Sequence, residues 1–170
     1  MKKKILFGLF VILAVVTLTG CGKKEDNNLK DITLKDEGYG TTVLKYNKDK
    51  DYTIKEETGG KYKELDIRSE SDKIRIQLYH TDSYEESYNA GKNNRKESTG
   101  FKEYTWNGLN GYIYNADKNS VSFNILLKVN DKKAKVLFGE ISTTNTSADA
   151  LSIFTGDEFQ KMMNSITFTE

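Results

Sequence analysis

The sequence predicts an α+β domain: an antiparallel meander sheet of about six to eight strands, with a C-terminal helix and a short mid-chain helix packed on it. Three patterns carry this expectation. Val121, Phe123, Ile125, Leu127 and Val129 alternate without a break, the period of a strand that buries one face. Asn107-Gly108-Leu109-Asn110 separates the runs 101–106 and 111–116, and Asn and Gly accept the positive φ of a tight hairpin. Phe159, Met162, Met163 and Ile166 fall at i, i+3, i+4 and i+7, one apolar helical stripe suited to lying on a sheet.

The chain begins with Lys2, Lys3 and Lys4, continues through the apolar stretch Ile5 to Val16, and reaches Leu18-Thr19-Gly20-Cys21. A positive segment, an apolar segment and small residues before a cysteine resemble the lipobox of a bacterial lipoprotein signal peptide. The resemblance implies that residues 1–20 are removed and that the Cys21 thiol carries a diacylglycerol. A doubly acylated cysteine holds a protein stably on a membrane, here on the extracytoplasmic face. The rival reading is an uncleaved spanning helix, but Ile5 to Gly20 falls short of the roughly 20 apolar residues needed. Cys21 is the only cysteine, so the exported domain has no disulfides and depends on its apolar core. A length of about 150 residues suffices, because such domains bury about 70% of their unfolded surface.

Residues 21–40 read as the lipidated cysteine and a polar tether, since Lys23, Lys24, Glu25, Asp26, Asn27 and Asn28 follow one another with few apolar residues to offset ordering. The folded domain is expected over 41–170. From Thr41 to Ile76 short alternating runs, Val43 with Lys45, Tyr52 with Ile54, Leu65 with Ile67, predict strands joined as hairpins at 47–50, Gly59-Gly60 and 69–72. Thr81 to Arg95 changes period: Tyr84 and Tyr88 are four apart, acids lie in front and bases behind, and Ser83 with Glu86 has capping-box spacing. A helix of two to three turns is the expectation there. Asn130-Asp131-Lys132 turns the long strand into a partner from about Ala134 to Ser142. Ala148 to Phe154 reads as a helical turn, Thr155 to Glu158 as a capping box, and Ile166 with Phe168 as a short closing strand.

The order of these elements, from the hairpin around Val43 to Ile54 through the meander to the ending Glu158-Phe159-Gln160-Lys161-Met162-Met163-Asn164-Ser165-Ile166-Thr167-Phe168, resembles the PsbP-like α/β/α superfamily. The likeness covers residues 41–168 and rests on element order. It implies an uncharacterised bacterial lipoprotein among that superfamily's members, and it assigns no binding residues. The opening hairpin lacks the proline expected there.

Composition narrows the partners. Residues 1–20 hold three lysines and no acid, so from Cys21 onward acids outnumber bases, 25 to 23. With no long basic cluster, nucleic acid is excluded as a partner, and the membrane through Cys21 is the implied one. A composition rich in Lys, Asn, Ile and Tyr without proline fits an AT-rich genome such as that of a Gram-positive bacterium.

Catalytic and metal constellations fail on spacing. His80, the only histidine, has Asp82 and Ser83 beside it, but triad members converge from separate segments, so a strand-end turn with a helix cap is the expectation. Asn47, Asp49 and Asp51 begin like a calcium loop, yet Tyr52 stands where glycine is needed and Thr58 where a bidentate glutamate is needed. Glu56-Glu57 and Asp157-Glu158 are adjacent carboxylates on a strand and at a helix start. Gly38, Gly40, Gly59 and Gly60 lack the lysine and strand-to-helix switch of a phosphate loop. No catalytic residue, metal or cofactor is therefore assigned.

The ten tyrosines all lie between residues 39 and 114. If Ile113 faces the core, Tyr112 and Tyr114 face solvent, with Trp106 or Tyr104 across the hairpin, and exposed aromatics suit an envelope protein, a peptide or a glycan. Ordinary filling of half-buried strand positions is the competing account. The functional expectation is a membrane-anchored, non-catalytic binding or accessory domain; the alternatives are an envelope assembly component and an enzyme with an unrecognised site.

Overall fold

A computed structural model of the chain describes residues 28–59, 62–130, 133–143 and 147–170. The expected leader, Cys21 and the start of the expected tether lie outside those residues. Among the described residues no helix is long and apolar enough to cross a membrane.

The fold is α+β, with two antiparallel sheets. Strand β1 (Leu29–Asp36) pairs with β2 (Gly40–Asn47) along its full length, from Leu29 opposite Asn47 to Asp36 opposite Gly40. This corrects the expected boundary: order begins by Leu29, not Thr41. The cause is an alternation hidden among charges, in which Ile32 and Leu34 turn inward while Lys30, Asp31, Thr33 and Lys35 face water. Burying two aliphatic side chains contributes about 1.5–3 kcal/mol each, enough to order a strand that also gains a ladder.

The second sheet holds seven strands in the order β3-β4-β5-β9-β8-β7-β6. These are β3 (Tyr52–Gly59), β4 (Tyr62–Ser69), β5 (Ile74–Tyr84), β6 (Lys102–Trp106), β7 (Leu109–Tyr114), β8 (Ser120–Asn130) and β9 (Lys133–Thr143). It is two meanders rather than one, β3-β4-β5 and β6-β7-β8-β9, joined where β5 and β9 pair over their entire lengths. The expected hairpin between β2 and β3 does not form, because both edges of β2 are occupied, one by β1 and the other by the closing strand β10 (Thr167–Thr169). The chain instead crosses from one sheet to the other through residues 48–51. The β6–β7 turn is as expected: Asn107 (φ 48°) and Gly108 (φ 80°) give the two consecutive left-handed residues of a type I′ hairpin.

Helix α1 (Glu85–Asn94) starts later than its sequence signals indicate. Thr81 to Tyr84 stay in β5, opposite Val136 to Lys133, and Ser83 caps nothing; its hydroxyl donates to the Tyr84 carbonyl. Helix α2 (Ala150–Thr155) is capped by Asp149, whose carboxylate accepts from the Ser152 N–H at 2.9 Å. Helix α3 (Asp157–Asn164) has Gly156 at its N-cap, so the expected Thr155 capping box is absent; the Thr155 hydroxyl donates back to the Leu151 carbonyl instead.

These elements form three layers. On one face of the seven-stranded sheet, Leu65, Ile76, Leu78, Phe123 and Ile141 meet Ile32 and Leu44 of the small sheet and Phe154, Phe159 and Met163 of α2 and α3. Gly139 lies directly under Phe123, whose ring would collide with any Cβ placed there. On the opposite face, Tyr88 of α1 covers Tyr112, Tyr114, Ala134 and Val136, with Phe101, Leu126 and Phe138 at the margin.

Candidate functional site

The aromatic surface expected from the sequence does not exist as a surface. Tyr112 is 2% exposed and Tyr114 7%, both beneath α1, while Ile113 is buried on the other face. The Asn124 side-chain amide donates to the Tyr112 hydroxyl at 2.8 Å, and the Arg95 guanidinium sits 4.5 Å from the Tyr114 ring centroid. Trp106, 1% exposed, belongs to the opposite layer, where its indole N–H donates to Gln160 Oε1 at 3.1 Å and its ring stacks on Tyr104 at 5.0 Å. The four residues are thus split between two cores. The missed signal is the two-sided apolar character of neighbouring strands, Leu126-Leu127 and Val136-Leu137-Phe138, which requires a cover on both faces.

His80 is also relocated. It is not at a strand-end turn but inside β5 with 0% exposure, facing the small sheet, and its Nε2 is 2.7 Å from the Thr42 hydroxyl. Tyr39 stacks on its ring at 6.3 Å and Phe168 meets it edge-on at 6.2 Å. Either tautomer leaves Nδ1 without a hydrogen-bond partner. Burial pushes the imidazole down to about 4, opposed by the Asp36 carboxylate and reinforced by the Lys135 ammonium. Neither Asp82 nor Ser83 is bonded to it, so the neighbouring triad does not assemble.

The carboxylates are engaged in structure. Asp51 accepts from Ser69 Oγ at 2.8 Å and from the Ser71 N–H at 2.8 Å, bonds that hold its carboxyl below the usual range and fix the β4–β5 turn. Asp66, on β4, is 1% exposed at its side chain and lies between Arg75 (2.7 Å) and Arg68 (2.9 Å). Burial alone would raise its pKa, but the hydrogen bonds from Arg75 and Arg68 outweigh that and hold it low. Among the described residues no group of three or more His, Cys, Asp or Glu side chains is placed to hold a metal ion.

A cleft of about 230 Å³ lies where the small sheet, the crossing to β3 and α3 come together. The buried Tyr46 and Met162 form its floor, with the half-buried Tyr52 tilted 55° to Tyr46 at a centroid distance of 5.4 Å. Its rim carries Lys45, Lys50, Lys161 and Glu158, with Asn28, Asn47 and Ser165 between them. The crossing segment builds this arrangement. The Lys48 N–H donates to the Asn28 carbonyl at 2.8 Å, Asn28 Nδ2 donates to Asn47 Oδ1 at 2.9 Å and also reaches Asp49, and the Lys45 N–H donates to Ser165 Oγ at 2.6 Å. Lys50 lies 3.3 Å from Asp72 and 3.9 Å from Glu158. Burial and the charges of Asp72, Glu158 and Asp51 push the Tyr52 phenol up to about 12, so it stays a neutral donor at any physiological pH.

The chain matches no protein-family model, no curated protein and no solved structure. The geometry of the cleft is therefore the ground for assigning a site. Sequence reasoning passed over it because its residues come from three separate stretches, 28–29, 45–52 and 158–165, and the crossing that helps unite them was expected to be a hairpin.

Proposed function

We propose that this protein is a membrane-anchored, extracytoplasmic lipoprotein whose folded part is a non-catalytic binding or accessory domain of PsbP-like architecture. One observation carries the reading: the only cysteine of the chain, Cys21, stands directly after Leu18-Thr19-Gly20 at the end of an apolar run behind three lysines. The three-layer arrangement, helix on sheet on helices and small sheet, supports the architectural part. The non-catalytic part is supported by His80, because an imidazole with 0% exposure bonded to a threonine has no path to a substrate.

The start of β1 at Leu29 adds a geometric consequence to an anchor at Cys21. Eight residues extended at about 3.5 Å each reach at most roughly 28 Å, so the domain rides close to the headgroups. Mass spectrometry of the amino-terminal peptide from the membrane fraction tests the anchor. The expected peptide begins at a diacylglyceryl-modified Cys21, and an unmodified Cys21 or a retained Met1 refutes it.

A further inference from the structure

The cleft bounded by β2, the crossing to β3 and α3 is built for a ligand of restricted size and charge. At about 230 Å³ it is smaller than the roughly 300–1,000 Å³ of drug-sized sites. That extent suits a ligand smaller than a drug-sized molecule, such as a single ring with its substituents. Aromatic rings at its base offer flat apolar area to the C–H face of such a ring.

The rim sets the charge. Lys45, Lys50, Lys161 and Glu158 line it, with Asp49 and Asp72 just behind, bonded to Asn28 and Lys50, and Lys50 is already held by Asp72 and Glu158. Lys45 and Lys161 make no ion pair among the described residues, although the chain from Cys21 onward is net acidic. Asn47 Oδ1 is taken by Asn28 and by the Asp49 N–H, which leaves its amide donors uncommitted among the described residues. Both edges of β2 are occupied, so an extended peptide cannot add there as a strand. What remains is a compact ligand recognised through its own hydroxyls and a negative group.

We propose that this cleft binds an anionic saccharide end group, a single pyranose ring bearing a carboxylate or phosphate, with Lys45 and Lys161 on the anion, the Asn47 amide and Asn28 Oδ1 on the hydroxyls, and Tyr46 and Tyr52 against the ring. The proposal deepens the binding half of the reading above and does not depend on the anchor. The other depressions serve less well. That between α1 and the β6–β7 hairpin already pairs Lys92 with Glu103 at 3.0 Å, and the lysines at the end of β8 and β9 are bridged by Glu170 to Lys128 and Lys135.

The test is an amide-resolved NMR titration of the full chain in detergent with glucuronic acid, against glucose and acetate as half-ligands. Glucuronic acid is expected to shift the amides of Lys45, Asn47, Tyr52 and Ser165, with glucose and acetate each at least about tenfold weaker. The double variant Lys45→Glu, Lys161→Glu, which alters only exposed rim groups, should weaken glucuronate binding about tenfold and leave the rest of the spectrum in place. Cys21→Ser should bind like the parent, so a failed anchor and a failed site are told apart.

Phosphatidylcholine vesicles with and without a glucuronosyl lipid distinguish the source. Retention on the doped vesicles supports a lipid-borne end group, and binding of free glucuronate without such retention supports a soluble glycan. Absent shifts, equal shifts with glucose, or shifts centred on Lys128, Lys133 and Lys135 overturn the proposal.

Discussion

Acidification from about pH 7 to about pH 5 is expected to cost the fold about 2 kcal/mol through one side chain, His80. The imidazole is held neutral in the fold, with its pKa pushed down from 6.5 to about 4 by burial. Below about pH 6.5 the unfolded chain takes up a proton that the folded chain refuses. Stability is therefore complete above that pH and falls by about 1.4 kcal/mol per unit until about pH 4, a total of about 3 kcal/mol. No other histidine exists to share the window. The carboxylates with lowered pKa, Asp51, Asp66, Asp117 and Glu170, add their own losses only at more acid pH, where they begin to protonate. Against a typical domain stability of about 5–15 kcal/mol the effect is large and measurable. Urea unfolding at both pH values reads it as a drop in midpoint at constant slope. His80→Gln removes the titrating group while keeping a side chain able to reach Thr42, and its midpoints at the two pH values should nearly coincide. A flat wild-type profile, or an equal slope in His80→Gln, would refute the account of a sealed neutral imidazole.

Gly139→Ala should destabilise by about 1–3 kcal/mol, seen as a lowered Tm, because the new methyl collides with the Phe123 ring in the middle of the core. Tyr112→Ala should cost about 3–5 kcal/mol in denaturant unfolding, as removal of a buried aromatic does, whereas Tyr112→Phe should cost about 1 kcal/mol for the bond from Asn124. A Tyr112→Ala protein of unchanged stability would restore the exposed aromatic face. Asp149→Ala should lose about 1 kcal/mol by uncapping α2, with Asp149→Asn largely retaining it in the same assay.

The elements legible in the sequence are those whose pattern is set by one neighbour. Strand β8 alternates because Val121, Phe123 and Ile125 are fully sealed on one face while the other is covered only in part, α3 shows its stripe because one side lies on the sheet, and Asn107-Gly108 announces a turn whose φ values only such residues adopt easily. The elements misread are those decided by distant pairing. Strand β1 looks like a polar tether until Ile32 and Leu34 find the gap over β4 and β5. Thr81 to Tyr84 carry helical signals, yet the ladder to β9 holds them extended. Tyr112 and Tyr114 seem outward only while α1 is out of view. The cleft was hidden for the same reason: Asn28, Lys45, Tyr52 and Lys161 are brought together by a sheet-to-sheet crossing that no local pattern encodes.

The two neighbours of β2 come from opposite ends of the described chain, β1 just before it and β10 at residues 167–169. Until the last of these is in place, β2 presents an open row of donors and acceptors on one side. Completion of the small sheet thus waits for residues more than a hundred positions beyond β2. A protein cut before Thr167 would keep that edge open, ready to accept the tail of another copy by strand exchange.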